Sequence, residues 1–267
     1  MKKQEVINHI VDWLKEYSDK SHTNGFVVGI SGGIDSALTS TLCALTGKPT
    51  LCLNMPILQH HSEYNRGVEH IHWLKEKFKN VTTQEVELTN VFKKMEETLP
   101  SEIQDWLTMA NTRSRLRMTT LYAFAGHHKM LVAGTGNKVE DFGIGFFTKY
   151  GDGGVDISPI ADLLKPEVFA LAEYLGVVHS ILAAAPTDGL FADGRSDEDS
   201  PKTPEIGTLL RIDTPRSISL CMVSALSSPM PSHLPDEPET RIIEVEFLGE
   251  LPKDDQGRPM NFRRGSF

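Results

Sequence analysis

Apolar and polar residues follow two periods along the first two hundred positions, and the two periods take turns. Met1 to Tyr17 is charged throughout, with Val6, Ile10, Trp13 and Leu14 at helical spacing, which predicts an amphipathic helix. Phe26-Val27-Val28-Gly29-Ile30 is a short β-rich apolar run, the pattern of a buried strand, and Ser36 to Thr46 predicts a helix with small and apolar residues on one side. Thr50 to Met55 predicts a second strand, stopped by Pro56, Ser62 to Phe78 a charged helix, and Asn80 to Val86 a third strand. Thr89 to Leu99 and Ser101 to Gly126 predict helices, and Met130-Leu131-Val132-Ala133 a further buried strand. Lys165-Pro166-Glu167 begins a helix with proline in its first turn, and Gly176 ends it. Such alternation predicts an α/β fold, a doubly wound parallel sheet flanked by helices.

From about Ser200 the pattern fades. Nine of the fifteen prolines fall between Pro201 and Pro259, and a possible strand at Arg241 to Phe247 is the clearest periodic segment there. The expected organisation is therefore a domain over residues 1–199 and a proline-rich, divergent, partly disordered extension over 200–267.

Chemistry enters at the end of the first strand, in Gly29-Ile30-Ser31-Gly32-Gly33-Ile34-Asp35-Ser36. Adjacent glycines bring backbone N–H groups close to a ligand, and the helix that follows presents its positive end, so an anion belongs in this turn. A phosphate loop of the Walker type would place Lys and then Ser or Thr after its last glycine; here stand Ile34 and Asp35. A carboxylate beside a phosphate calls for a cation between them, which makes Asp35 a Mg²⁺ ligand, while Ser31 and Ser36 offer hydroxyls to the same phosphates. The ordinary alternative is a glycine-rich β–α turn with an aspartate at its helix start.

A second glycine-bracketed turn, Gly134-Thr135-Gly136-Asn137, follows the strand at Met130 to Ala133, and two such turns can face one crevice at the carboxyl ends of the strands. Asp141 to Gly154 holds five glycines around Phe146-Phe147-Thr148-Lys149-Tyr150, which predicts a mobile lid. Arg115 within Arg113-Ser114-Arg115-Leu116-Arg117, Glu140, Lys149, Asp156 and Lys165 complete the candidate set; alternating arginines on a helix are otherwise a solvated face.

A formal net charge of −9 disfavours a nucleic-acid or membrane-surface binder and favours a small-molecule partner. Cys43, Cys52 and Cys221 lack zinc-ligand or disulfide spacing, which points to the cytoplasm, with Cys43 and Cys52 as small buried hydrophobes. No 18-residue apolar run occurs. The histidines at 60, 61, 70, 72, 127 and 128 read as solvated or capping residues.

The succession Gly134-Thr135-Gly136-Asn137, Gly145-Phe146-Phe147-Thr148-Lys149-Tyr150-Gly151-Asp152-Gly153-Gly154, Asp156, Lys165 and Pro186-Thr187 resembles the ammonia-dependent NAD synthetases, within the ATP-pyrophosphatase group that shares the S-G-G-x-D-S loop. The resemblance covers roughly residues 1–199 and implies an adenine nucleotide alpha-hydrolase-like fold. It implies that the nicotinate carboxylate of deamido-NAD attacks the α-phosphorus of ATP, that pyrophosphate leaves, and that ammonia displaces AMP from the acyl adenylate. By this similarity Gly29, Ile30, Ser31, Gly32, Gly33, Ile34, Asp35, Ser36, Thr135, Lys165 and Thr187 bind ATP. Arg115, Lys149 and Asp156 hold deamido-NAD, Asp35 and Glu140 ligate Mg²⁺, and Asp35, Lys149 and Lys165 carry the catalysis. A homodimer is implied as well. Asp156 is also placed to accept hydrogen bonds from attacking ammonia.

The chain departs from that pattern in three ways. Glu140 to Lys149 is one residue longer than in many relatives, which makes Asp141 a rival ligand; the His-Lys pair near the end of many members is missing; and no match extends past Ser200. Other readings of the same loop are a different amidating or tRNA-thiolating enzyme, which would need catalytic cysteines and a basic surface, or a non-catalytic ATP sensor.

Overall fold

The computed structural model describes residues 1–143, 147–184, 209–213, 217–227, 242–252 and 263–264. The chain divides into two compact units, residues 1–142 with 146–200, and residues 143–145 with 201–267. Thr187, Gly145 and Phe146 lie outside the described residues.

In the first unit, α1 (Lys3–Lys20) leads into β1 (Phe26–Ile30), α2 (Ile34–Leu45), β2 (Thr50–Asn54), α3 (His61–Lys77), β3 (Val81–Glu85) and α4 (Thr89–Thr98). The chain then departs from the expected unbroken helix at Ser101. A 3₁₀ turn, Ser101–Ile103, is followed by a fresh start at Asp105, whose carboxylate accepts the Thr108 N–H at 3.0 Å and opens α5 (Trp106–His128). Such a cap satisfies a donor that the first turn leaves orphaned, so the helix restarts where the capping residue stands. β4 (Leu131–Val132), α6 (Lys165–Leu175) and α7 (His179–Leu182) follow. α6 begins with Pro166 in its first turn and ends at Gly176 in the left-handed conformation.

Among the described residues the strands of this unit form one parallel sheet in the order β3-β2-β1-β4, with Ala133 and Ile157 bridging in parallel beside β4. Side chains of β1 alternate between two cores, as the pleat requires. Phe26, Val28 and Ile30 pack with α1, α2 and α6 on one face, and Val27 packs with Phe92 of α4 and Met118 and Leu121 of α5 on the other. β1 and β2 are buried on both faces, which is why they read as continuous apolar runs. Connections run outward from β1 through β2 to β3 and then return to the other side of β1 at β4. The strand order therefore reverses at β1 and β4, and in such sheets the crevice beyond their carboxyl ends is where ligands bind.

Cys43 and Cys52 are fully buried, and burial pushes both thiols up, Cys52 to about 12. Thiols held protonated are poor nucleophiles, which removes the residues a thiolating enzyme would use among those described. His60 caps α3, its ring accepting the Ser62 N–H at 3.3 Å, but the solvated or capping reading fails for His70. That ring is fully buried, stacks on Trp73 and lies 3.0 Å from the Ser40 hydroxyl of α2. Burial lowers its pKa to about 4.

The folded state therefore refuses a proton that an unfolded His accepts near pH 6.5. His70 contributes stability that is fully present above pH 6.5 and is lost as pH falls toward 4, by about 3 kcal/mol in all. In His70→Gln, which keeps a donor to Ser40, urea-unfolding stability should decline less between pH 7 and pH 4.5 than in the unaltered chain; parallel declines would refute this.

The second unit contains β5 (Leu209–Asp213), β6 (Ser217–Ser227), β7 (Ile242–Pro252) and β8 (Arg263–Arg264), paired antiparallel in that order among the described residues. β7 covers residues 242–247 of the strand expected at Arg241 to Phe247 and runs five residues beyond it, while Arg241 lies outside the described residues. Irregularities between Leu220 and Cys221 and between Val223 and Ala225 interrupt the β6–β7 register. Insertions of this kind break strict alternation, which is one reason the sequence of β6 carries so little period.

Candidate functional site

The turn after β1 is built by its own hydroxyls. Ser36 Oγ accepts the Ser31 N–H at 3.2 Å, lies 3.1 Å from Ser31 Oγ, and donates to Gly33 O at 3.0 Å. Gly32 adopts φ +84°, and a Cβ there would overlap the Glu63 carbonyl of α3, so only glycine fits. Two side chains hold the turn from outside: Gln59 Nε2 donates to Ser31 O at 3.0 Å and Arg66 Nε to Gly32 O at 3.2 Å. α2 starts at Gly33 with no side-chain cap, which leaves its first N–H groups for an anion.

Asp35, in the first turn of α2, is the hinge of the site. Asn137 Nδ2 donates to Asp35 Oδ1 at 3.1 Å, and Lys165 Nζ donates both to Asp35 Oδ2 at 2.6 Å and to Glu140 Oε1 at 2.8 Å. Residues 102 and 130 positions apart in sequence from Asp35 thus meet on one carboxylate. Asn137 is fully buried and also accepts the N–H groups of Val139 and Glu140, which sets the start of a π-helix at Lys138–Gly143. The π-helix carries both candidate acids, Glu140 and Asp141, in its first turn. Glu140 consequently faces Lys165, whereas the Asp141 carboxylate packs against Gly136.

Electrostatics follow from two carboxylates sharing one ammonium. Burial raises the Asp35 carboxyl, the Lys165 charge opposes that, and Glu140 adds to it, with a net rise. For Lys165 burial works against the charge, but Asp35 and Glu140 outweigh it and hold the amine protonated. Burial, with Asp152 and Glu140 beside it, lifts Asp141 to about 6.

The remaining predicted residues gather on α5. Arg115 Nε donates to the Lys149 carbonyl at 3.1 Å. Two turns further along the same face, the Tyr122 hydroxyl donates to Asp156 Oδ1 at 2.9 Å, while the Val132 N–H donates to Asp156 Oδ2 at 2.8 Å. Both oxygens of Asp156 are thus engaged by the protein, and burial, with Asp156 alongside, raises the Tyr122 hydroxyl to about 12. Of the stretch from Asp141 to Gly154, expected to be a mobile lid, residues 147–154 make specific contacts with the protein. They form a turn fastened to α5, with Thr148 Oγ1 donating to Asn111 Oδ1 at 2.7 Å and Ser114 Oγ to Asp152 Oδ1 at 2.6 Å. Glycine serves here for close approach, since a Cβ on Gly151 would overlap the Ser114 hydroxyl.

The solvated-face reading of the three arginines fails for Arg117, which is largely covered and donates from Nε to the Met55 carbonyl at the end of β2. Burial and then the neighbouring Arg113 lower its pKa to about 10. Arg113 lies 5.0 Å from the Phe92 ring. Asn137, Gln59, Arg66, Ser114 and Asn111 received no role from the sequence. Asn137 at least stood inside the second glycine turn; the others are set by tertiary contact alone.

A doubly wound parallel sheet with a glycine turn, an uncapped helix start and a lysine–carboxylate cluster at its switch point defines an α/β nucleotide-handling enzyme of the adenine nucleotide alpha-hydrolase-like fold. Comparison with known proteins agrees: the NAD synthase family model matches residues 6–214. An NH(3)-dependent NAD(+) synthetase of Alkaliphilus metalliredigens is 41% identical over 202 residues, covering 72% of this chain and 79% of that protein. Among solved structures, an NMN synthetase from Francisella tularensis is similar with a TM-score of 0.69 and 34% identity, covering 74% of this chain and 81% of that one. An NH3-dependent NAD synthetase from Campylobacter jejuni gives a TM-score of 0.62 and 30% identity, covering 68% and 77%. The chain belongs to the NAD synthase family.

Proposed function

We propose that this chain is an ammonia-dependent ligase of NAD biosynthesis that amidates the nicotinate carboxylate of deamido-NAD, consuming ATP and releasing AMP and pyrophosphate. The observation that carries the reading is the convergence of Asp35 and Glu140 on Lys165 beside the β1 turn. In the first step the nicotinate oxygen bonds to the α-phosphorus as the bond to pyrophosphate breaks. In the second, ammonia bonds to the acyl carbon, AMP leaves and one proton is lost. The first step concentrates negative charge on phosphate oxygens, so fixed cations and N–H groups already in place lower its barrier. The first N–H groups of α2 with Ser31 and Ser36 receive the pyrophosphate portion of ATP, and Lys165 carries positive charge at the place where it departs. Arg115 and Lys149 hold the acceptor, and Thr135 and Thr187 extend the ATP contacts.

Mg²⁺ suits the donor set. Asp35 and Glu140 present hard oxygens to a single cation position, now shared with Lys165, and Asp35 is a buried carboxylate that an added cation would relieve. Mg²⁺ commonly takes one or two carboxylates and completes its shell with phosphate oxygens and water. Its chemistry there is neutralisation of phosphate charge. Asp156, held by Tyr122 and Val132, keeps further lone pairs with which to accept from ammonia. We place the protein in the cytoplasm as a homodimer; among the described residues no helix is long and apolar enough to cross a membrane.

A second reading rests on the 34% identity to the structure named NMN synthetase: the amidated molecule is the mononucleotide. Incubation with ATP, Mg²⁺ and ammonium, and with deamido-NAD or its mononucleotide counterpart, decides by product. The expected result is NAD in equal amount to AMP and pyrophosphate. NMN alone would select the second reading, and no pyrophosphate with either acceptor would overturn both in favour of a sensor.

A further inference from the structure

We propose that Ser114 of α5, seconded by Asn111, is a positioning residue that holds the Thr148–Asp152 turn so that Lys149 meets the acceptor, an inference that rests on the role given to Lys149 above. The Ser114 hydroxyl closes a two-bond ring with one residue: it donates to Asp152 Oδ1 at 2.6 Å and accepts the Asp152 N–H at 2.9 Å. The same Asp152 Oδ1 accepts the Thr148 N–H at 3.1 Å, so one oxygen ties both ends of the turn. Asn111 holds Thr148 from the preceding helical turn, and Arg115 holds the Lys149 carbonyl. Positions 111, 114 and 115 share one face of a helix, so a single rigid element clamps the segment on both sides of Lys149. Ser114 and Thr148 are buried while Lys149 is exposed, its ammonium 5.0 Å from the centre of the Tyr150 ring, so a surface lysine is carried on a fixed backbone. A charged hydrogen bond to a carboxylate is also among the stronger kinds, so the clamp persists without substrate. Ser114 itself touches no reacting group in this arrangement; it acts through Lys149.

The test uses the full chain with ATP, Mg²⁺, ammonium and deamido-NAD. Ser114→Ala should raise KM for deamido-NAD about tenfold while KM for ATP stays within about twofold, and in a Lys149→Met background the same change should add less than about twofold. Asn111→Ala, which frees only Thr148, should give a smaller rise in the same cycle and decides the matter if Ser114→Ala fails to fold. Amide hydrogen exchange of the peptide over residues 147–154 should quicken in Ser114→Ala. That measurement needs no turnover, so unchanged exchange overturns the clamp even if the acceptor proves to be another molecule. Equal changes in both KM values, or a full effect of Ser114→Ala without Lys149, reduce Ser114 to a structural residue and overturn the proposal. Failure of the unaltered chain to amidate deamido-NAD would instead count against the acceptor, leaving the exchange result to decide the clamp.

Discussion

Lys165→Met is expected to lower the turnover of amide formation by about 10³-fold, near 4 kcal/mol in the barrier. One nitrogen supplies the positive charge that Asp35 and Glu140 share, at 2.6 and 2.8 Å, and methionine keeps the length of the side chain while removing that charge. Two losses then coincide. Departing pyrophosphate no longer meets a fixed cation, and the two carboxylates face each other without compensation. Their side chains are 16% and 32% exposed, so water and salt screen part of the repulsion, and the expected loss of stability is only about 1 kcal/mol near neutral pH. Its sign with pH is fixed. A carboxyl raised in the folded state contributes stability below its unfolded pKa and loses it as pH rises through the folded value, so the deficit of the variant should grow from an acidic to a neutral pH. Rapid-quench measurement of pyrophosphate, with urea unfolding at the two pH values, checks both parts. Turnover within tenfold of the unaltered chain would show that Lys165 is merely a counter-ion for Asp35 and Glu140.

Gly32→Ala should be the most damaging single methyl in the phosphate turn. A non-glycine residue in the left-handed region costs roughly 1–2 kcal/mol, and here the added Cβ would also overlap a backbone oxygen of α3 that cannot yield without moving the helix. A total of about 3–4 kcal/mol is expected, which lowers Tm by roughly 8–12 °C for a unit of this size. Binding of ATP should weaken about 100-fold, since the Ser31 and Gly32 carbonyls are the points by which Gln59 and Arg66 set the turn, and donors moved out of place lose their hydrogen bonds to phosphate. Differential scanning calorimetry and titration calorimetry with ATP read the two effects separately. An unchanged Tm with normal ATP binding would mean that the turn can re-form around a side chain.

The sheet was legible in the sequence because each of β1 and β2 is buried on both faces and stands out as an apolar run between turn residues. Helix ends were legible where caps were chemical, as at Pro166 and Gly176, and illegible at Ser101 to Asp105, where helical propensity continues and the Asp105 cap decides the break. Within the site, Asp35 announced itself by its place in the turn, and Lys165 and Glu140 by their likeness to a family pattern. The function of Asn137 was hidden, since an asparagine after a glycine turn has the same sequence whether it ends a helix or joins two loops. Ser114, Asn111 and Arg117 were hidden for a different reason. Their partners lie 37 to 62 positions away, and no local period records such a pairing.

The wide helical turn at Lys138–Gly143 gives the chain slack. Within it Glu140 is passed to Lys165 while Asp141, next in sequence, packs against Gly136. Two adjacent carboxylates on this stretch therefore serve different neighbours.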